Sequence, residues 1–295
     1  MEFGAVFPTV EIGDDPTAIR DWAQTAEGLG YSFIVVFDHV LGVDHADRDQ
    51  KLWGPYTQHH PFHEPFVLLG FLAACTEVVE LETGIIILPQ RQTVLAAKQA
   101  AEVDVLSEGR LRLGLGVGWN HVEYEALGMN WDDRGRRYDE QIDLMKQLWN
   151  NDVVDFTGEY HRVDRGGIAP RPKRDIPIWF GGFSKPAWRR AARIGDGFYF
   201  ANAGTQTVEA LHTLRGLVAD AGRDPATFPT EFGVAYGAGQ ARWERSVGRA
   251  REHDVSHFSV NTMTATDAWS GIDSTPLESP AQHMGALETF MSTVG

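Results

Sequence analysis

Asp38-His39 follows directly on the apolar run Ser32 to Phe37, so an acid and an imidazole stand together at the end of a buried strand. Imidazole titrates near neutrality and can give or take the proton that accompanies hydride or acyl transfer. A lone histidine more often packs than reacts. Here the strand end, the neighbouring carboxylate and the long aromatic loop that follows weigh towards chemistry. That loop carries Gln58-His59-His60-Pro61-Phe62-His63-Glu64, which invites a metal reading. Adjacent histidines on an extended chain cannot both point one way, and neither an HxH nor an HExxH spacing occurs. We therefore expect no metal, and read Trp53, His63 and Glu64 as part of a substrate wall.

Two glycine runs could receive a ligand. Gly114-Leu115-Gly116-Val117-Gly118 superficially suggests a dinucleotide fingerprint, but no ribose-binding acid stands at the expected place. A glycine turn that lets a planar ligand approach the backbone is the alternative. Gly181-Gly182-Phe183-Ser184 precedes a helix, so free amides, a hydroxyl and a helix N-terminus could converge on an anion; a plain tight turn is the competing reading. Arg171, Lys173, Arg174, Lys185, Arg189, Arg190 and Arg193 gather in the same half of the chain. They suggest an anionic ligand or an intersubunit ion-pair surface, with a solvated helix face favoured for Arg189, Arg190 and Arg193.

The elements that must position these residues alternate. Thr83 to Leu88 and Leu111 to Val117 are apolar runs without polar alternation, as in parallel strands buried on both faces. Val94 to Leu106 joins them at helical spacing, closed by Gly109, which makes a βαβ unit. Similar units recur from Phe3 to Met291. One alternating segment, Val153 to Val163, reads instead as a hairpin turning at Thr157-Gly158 and lying outside the barrel near its C-terminal rim. Eight strand–helix units with one small hairpin insertion predict an α/β fold, a (β/α)8 TIM barrel, as one domain over residues 1–295. In such barrels ligands bind at the C-terminal ends of the strands.

A hydrophobic fraction of 43% supports a large core, and a formal net charge of −15 disfavours nucleic acid and anionic membranes as partners. No apolar run reaches the roughly 20 residues of a membrane span, and the chain enters a strand at once without a signal peptide. The single cysteine, Cys75, lies in an apolar segment and reads as an inert thiol. A cytoplasmic setting is expected.

The sequences FDHV, TGIIILPQRQTVLAAKQAAEVDVLSEGRLRLGLGVGWNHVEYEALG, RGRR at 134–137, IPIWFGG and ARIGDGF, in this order, resemble the bacterial luciferase-like superfamily. Within it they look most like the coenzyme F420-dependent oxidoreductases. The resemblance implies a flavin or deazaflavin ring over the C-terminal strand ends, with His39 as proton donor or acceptor and Asp38 beside it. It further implies a non-prolyl cis peptide at Ile85-Ile86 behind the ring, and the cofactor phosphate on Gly181, Gly182 and Ser184. The ribityl chain would lie near Gly118, Trp119 and Asn120. An acidic cofactor tail would run towards Arg171, Lys173 or Lys185, and the protein would be a homodimer acting on a small molecule. One departure stands out: deazaflavin sugar-phosphate dehydrogenases carry a glutamate after the glycine turn, where this chain has Trp119, so that activity is not carried over. The expected function is hydride transfer between F420 and a small organic substrate. An FMN-dependent monooxygenase is the alternative, and a metal-dependent barrel hydrolase a more distant one.

Overall fold

The computed structural model describes residues 1–52 and 54–295, so Trp53 lies outside the described residues. In chain order the elements are β1 (Glu2–Val6), α1 (Pro16–Gly28), β2 (Phe33–Val36), α2 (Pro65–Cys75), β3 (Glu80–Thr83), β4 (Ile86–Ile87), α3 (Thr93–Leu106), β5 (Leu111–Gly116), α4 (His121–Ala126) and α5 (Arg134–Asn150). They continue with β6 (Val154–Thr157), β7 (Arg162–Gly166), β8 (Ile178–Gly181), α6 (Lys185–Ile194), β9 (Gly197–Tyr199), α7 (Thr205–Asp220), β10 (Thr230–Ala235), α8 (Gln240–Glu252), β11 (His257–Asn261) and α9 (Pro280–Val294). Strands β1, β2, β3, β5, β8, β9, β10 and β11 pair in parallel, and β11 returns to β1. This is the closed TIM barrel that the alternating runs predict.

The run Thr83 to Leu88 does not stay in one strand. It divides into β3 and the short β4, with a cis peptide at Gly84-Ile85, and then tightens into a 3-10 turn at Leu88–Gln90. The cis bond therefore precedes Ile85, one residue before the expected Ile85-Ile86 position. Residue 84 is the one that must lack a side chain, since a Cβ there would meet Val35 Cγ1 at 2.4 Å. Buried polar groups hold the new chain direction. Thr83 Oγ1 donates to the Gly114 carbonyl at 2.7 Å, and Gln141 Nε2 donates to the carbonyls of Leu88 and Arg91, each at 3.2 Å. Arg137, the last residue of the RGRR run, donates to the Pro89 carbonyl at 2.9 Å.

The lower barrel interior is charged. Arg112 lies between the rings of Phe33 and Trp179, 4.6 and 4.5 Å from their centroids. It faces Glu80 at 2.6 Å and Glu82 at 3.6 Å. Burial lifts the Glu82 and Glu231 carboxyls above their ordinary range, Glu231 more strongly because Glu82 adjoins it. Higher in the barrel the inward positions of β5 are glycines. A Cβ on Gly114 would sit 1.8 Å from the Thr83 carbonyl oxygen. These glycines make room for the bent β3–β4 segment: the Thr83 carbonyl lies over Gly114 and the Ile85 side chain over Gly116, where side chains on β5 would stand.

Strands β6 and β7 form the separate antiparallel hairpin, turning over Gly158 to His161, slightly later than expected. His161 ties the tip to Thr93 Oγ1 at 2.6 Å and to Glu140 at 2.8 Å. Thr93 opens α3, so the tip reaches the C-terminal rim. No helix among the described residues is long and apolar enough to cross a membrane.

Candidate active site

His39 and Asp38 leave β2 in opposite directions, as successive residues of an extended chain must. The Asp38 carboxylate is buried and turns towards the outer loops. It accepts from Ile87 N at 2.9 Å and pairs with Arg91 at 2.7 Å. Arg91 also reaches Glu64 at 2.7 Å and lies over the Phe66 ring. Asp38 therefore does not orient His39 as the adjacency suggested. It fastens β4 to the end of β2 by the bond from Ile87 N, and holds the turn that follows by the buried ion pair with Arg91.

The partner of His39 is Glu123, which the sequence reading did not single out. His39 Nδ1 lies 3.2 Å from Glu123 Oε2, with the two side chains 8% and 0% exposed. The other carboxylate oxygen accepts from Val40 N at 2.5 Å and Leu41 N at 3.1 Å. Burial alone would raise the Glu123 carboxyl. The bonds from His39 and from the backbone of Leu41 and Val40 outweigh it and hold the group below the usual carboxylate range. An ionised Glu123 only accepts, so Nδ1 carries the hydrogen of the neutral imidazole. Nε2 has no hydrogen bond among the described residues. The ring is enclosed edge-to-face by Phe62, Tyr56 and Trp119, at 4.9, 5.2 and 5.3 Å between centroids.

Asn120 places this glutamate. Its Oδ1 caps α4 by accepting from Val122 N at 3.2 Å and Glu123 N at 3.4 Å. Glu123 is the third residue of that helix, where the dipole favours a carboxylate. Asn120 and Glu123 stand at the spacing of a capping box, and that signal in the sequence could have located the pair. The oxygen of Asn120 is thus spent on the cap.

Opposite this dyad lies an apolar platform. Ile85 is half-buried, and it faces the glycines of β5 and β8. A Cβ on Gly116 would fall 2.6 Å from its Cδ1, and one on Gly181 2.9 Å from its Cγ2. Ile86 is fully buried beneath. Gly118 turns the chain with φ +64° just before Trp119. Gly182 adopts φ +136°, and Ser184 opens α6 without a side-chain capping bond, leaving its hydroxyl and the first amides for an anion. A flat ring over Ile85 with a phosphate at Gly181, Gly182 and Ser184 fits these glycine-lined surfaces.

Other expected residues are placed elsewhere. Glu64 caps α2 by accepting from Val67 N at 2.9 Å, besides its pair with Arg91. His63 Nε2 lies 3.2 Å from the Gly13 carbonyl, and its ring packs on Phe7. His60 Nδ1 accepts from Thr57 N at 2.9 Å, and among the described residues no metal-ligand cluster of His, Cys, Asp and Glu forms. Arg171 pairs with Asp152, beyond the end of α5, and Arg174 with Asp104 and the Leu111 carbonyl, where β5 begins. Arg171 and Arg174, with Lys173 between them, thus lie at the N-terminal end of the barrel. The loop runs beneath β8, so of the three tail contacts expected only Lys185 stands on the ligand-binding side.

The luciferase-like monooxygenase family model matches residues 1–285. The chain is 34% identical over 186 residues to an FMNH2-dependent dimethylsulfone monooxygenase of Pseudomonas fluorescens, covering 62% of this chain and 47% of that enzyme. It is 31% identical over 215 residues to an F420-dependent glucose-6-phosphate dehydrogenase of Nakamurella multipartita, covering 70% of this chain and 60% of that enzyme. A solved F420-dependent secondary alcohol dehydrogenase, in complex with an F420-acetone adduct, matches with a TM-score of 0.75 at 16% identity, covering 99% of this chain and 98% of the other. At that identity the likeness is one of fold.

Proposed function

This chain belongs to the luciferase-like monooxygenase family, and from that premise we propose that it moves a hydride between deazaflavin F420 and a small organic substrate. The cofactor, when bound, supplies the hydride chemistry and reacts poorly with oxygen. The chain supplies the rest. Ile85 and Ile86 support the ring, with Gly118 and Trp119 at its edge, and Gly181, Gly182 and Ser184 hold the phosphate. His39 exchanges the accompanying proton at Nε2, kept in one tautomer by Glu123. The observation that carries this reading is the buried His39–Glu123 pair at the barrel mouth, because hydride transfer to a carbonyl needs a positioned proton. Tyr56, Phe62 and Trp119 form the wall around that atom.

The FMNH2-dependent relative supports a second reading, an FMN-dependent monooxygenase. Titrating the apo-protein with F420 and with FMN, followed by ring fluorescence, separates the two. We expect F420 to bind at least about tenfold more tightly, a difference of about 1.4 kcal/mol. Selective FMN binding would overturn the deazaflavin assignment and promote the monooxygenase.

We also propose a homodimer. Helices α2 and α3 pack side by side, and their first two turns expose Val67 at 71%, Phe71 at 39%, Val94 at 44% and Leu95 at 51%. Helix α2 is apolar on all sides, a pattern that belongs to a covered helix. Sedimentation at micromolar concentration should show a dimer for the wild type and a monomer for Val67→Asp/Phe71→Glu, with little change in the barrel's melting. A wild-type monomer would contradict this.

A further inference from the structure

We propose that the cavity at the ends of β9, β10 and β11 is a subsite for the anionic group of the substrate, a carboxylate, phosphate or sulfonate gripped by Arg242 and Arg245; this rests on the oxidoreductase reading above. The cavity encloses about 690 Å³, within the range of small-molecule sites. Its inner wall includes Phe37 and Tyr199, and its outer wall the start of α8 with Arg242, Arg245 and Ser246. Phe37 is two residues before His39, so the cavity opens at the same end of the barrel as the dyad.

Positions 242, 245 and 246 share one helical face. Neither guanidinium has a hydrogen bond or ion pair among the described residues, although the chain holds 41 acidic residues against 26 lysines and arginines. Both side chains are exposed, so their charges are free to turn towards a ligand at the cavity. Two neighbouring guanidinium groups can grip a tetrahedral or planar oxyanion with paired N–H donors. The second observation is Ser246. It is 3% exposed and lines the cavity, and its hydroxyl has no hydrogen bond among the described residues, not even back to the carbonyl four residues earlier. Gly239, at φ +80°, precedes α8, which starts without a side-chain cap, so its first amides add to the positive end. Two acids also line the cavity. Asp267 is occupied by Ser274 at 2.7 Å, and Asp273 stands at the rim. The inner wall of Phe37 and Tyr199 suits the uncharged part of the molecule, so the ligand class is a small amphiphilic organic anion.

The test is calorimetric titration with inorganic phosphate, sulfate and acetate at constant ionic strength, on wild type, Arg242→Gln/Arg245→Gln and Ser246→Ala. Both arginines are exposed, so the double variant should fold. We expect saturable binding of at least one anion to the wild type, weakened tenfold or more in the double variant and a few-fold in Ser246→Ala; the preferred anion identifies the group. Affinity for full F420 and for its truncated form without phosphate and tail should be the same in both proteins. Anion binding that is absent, or equal in wild type and double variant, overturns the proposal. So does a double variant that loses affinity for full F420 but not for the truncated form, because the arginines would then hold the cofactor's tail. Loss of anion binding in the double variant, with no cofactor binding by any form, would support this subsite while contradicting the oxidoreductase reading.

Discussion

Replacing His39 with Asn should slow the chemical step by about 10²–10⁴ while leaving cofactor affinity within a few-fold, the usual worth of a positioned acid–base group. Asparagine retains a polar side chain but cannot take and return a proton near neutrality. The surfaces assigned to the ring and phosphate, at Ile85 and at Gly181 to Ser184, belong to other strands, so binding should survive. Glu123→Gln is the informative companion. Glutamine can still bond to Nδ1, yet it no longer offers a charged acceptor that fixes the tautomer. Its cost should be smaller, roughly 10–100-fold, as for other buried partners of a working imidazole. The pH dependence has a defined sign. Glu123 is held below the usual carboxylate range, so the stability it contributes is present above about pH 4.3 and is lost as pH falls through its lower folded value. If His39 were only a packing residue, its replacement would disturb folding or cofactor binding before it touched the rate.

The second large effect concerns stability. Asp38→Ala should destabilise the barrel by about 3–5 kcal/mol, the cost of leaving one partner of a buried ion pair behind. The change leaves the Arg91 guanidinium, whose side chain is 11% exposed, with only the half-exposed Glu64 as its counter-ion, and removes the acceptor of Ile87 N. At 2–4 °C per kcal/mol the melting temperature should fall by roughly 6–20 °C. Glu64→Gln, at the more exposed end of the same chain of charges, should cost far less. Thermal and urea unfolding of the variants decide the matter; a loss below about 1 kcal/mol for Asp38→Ala would mean that water replaces the carboxylate. Because Asp38 fastens β4, its loss should also weaken ring binding, whereas loss of His39 should not.

The barrel was legible because strands buried on both faces must be apolar throughout, and segments of helical length and spacing alternate with them. His39 was legible because its strand runs outward to the mouth. The rest was hidden for identifiable reasons. Asp38 stands beside His39 in sequence, but adjacent residues on an extended chain diverge, so adjacency misled. Glu123 is 84 positions from His39 and looks like an ordinary N-terminal helix acid. Only the turn through Trp119 and Asn120 brings it to the imidazole. The strand from Thr83 was expected to run on to Leu88, because an apolar run does not show where a chain bends away. Arg171 and Lys173 advertised an anion site by composition, and composition does not say which end of a barrel a loop occupies. The cavity at α8 was hidden as well, because nothing local in the sequence tells that Arg242, Arg245 and Ser246 share a cavity with the ends of β9, β10 and β11.

In the proposed reaction His39, oriented by Glu123, exchanges the proton that accompanies hydride transfer. The most direct measurement is single-turnover oxidation of bound reduced F420 by a competent carbonyl substrate, in wild type and His39→Asn, across pH. A rate in the mutant lower by about 10²–10⁴, with the wild-type pH dependence abolished, is the expected result. An unchanged rate with an unchanged pH profile would contradict it and leave solvent as the proton source.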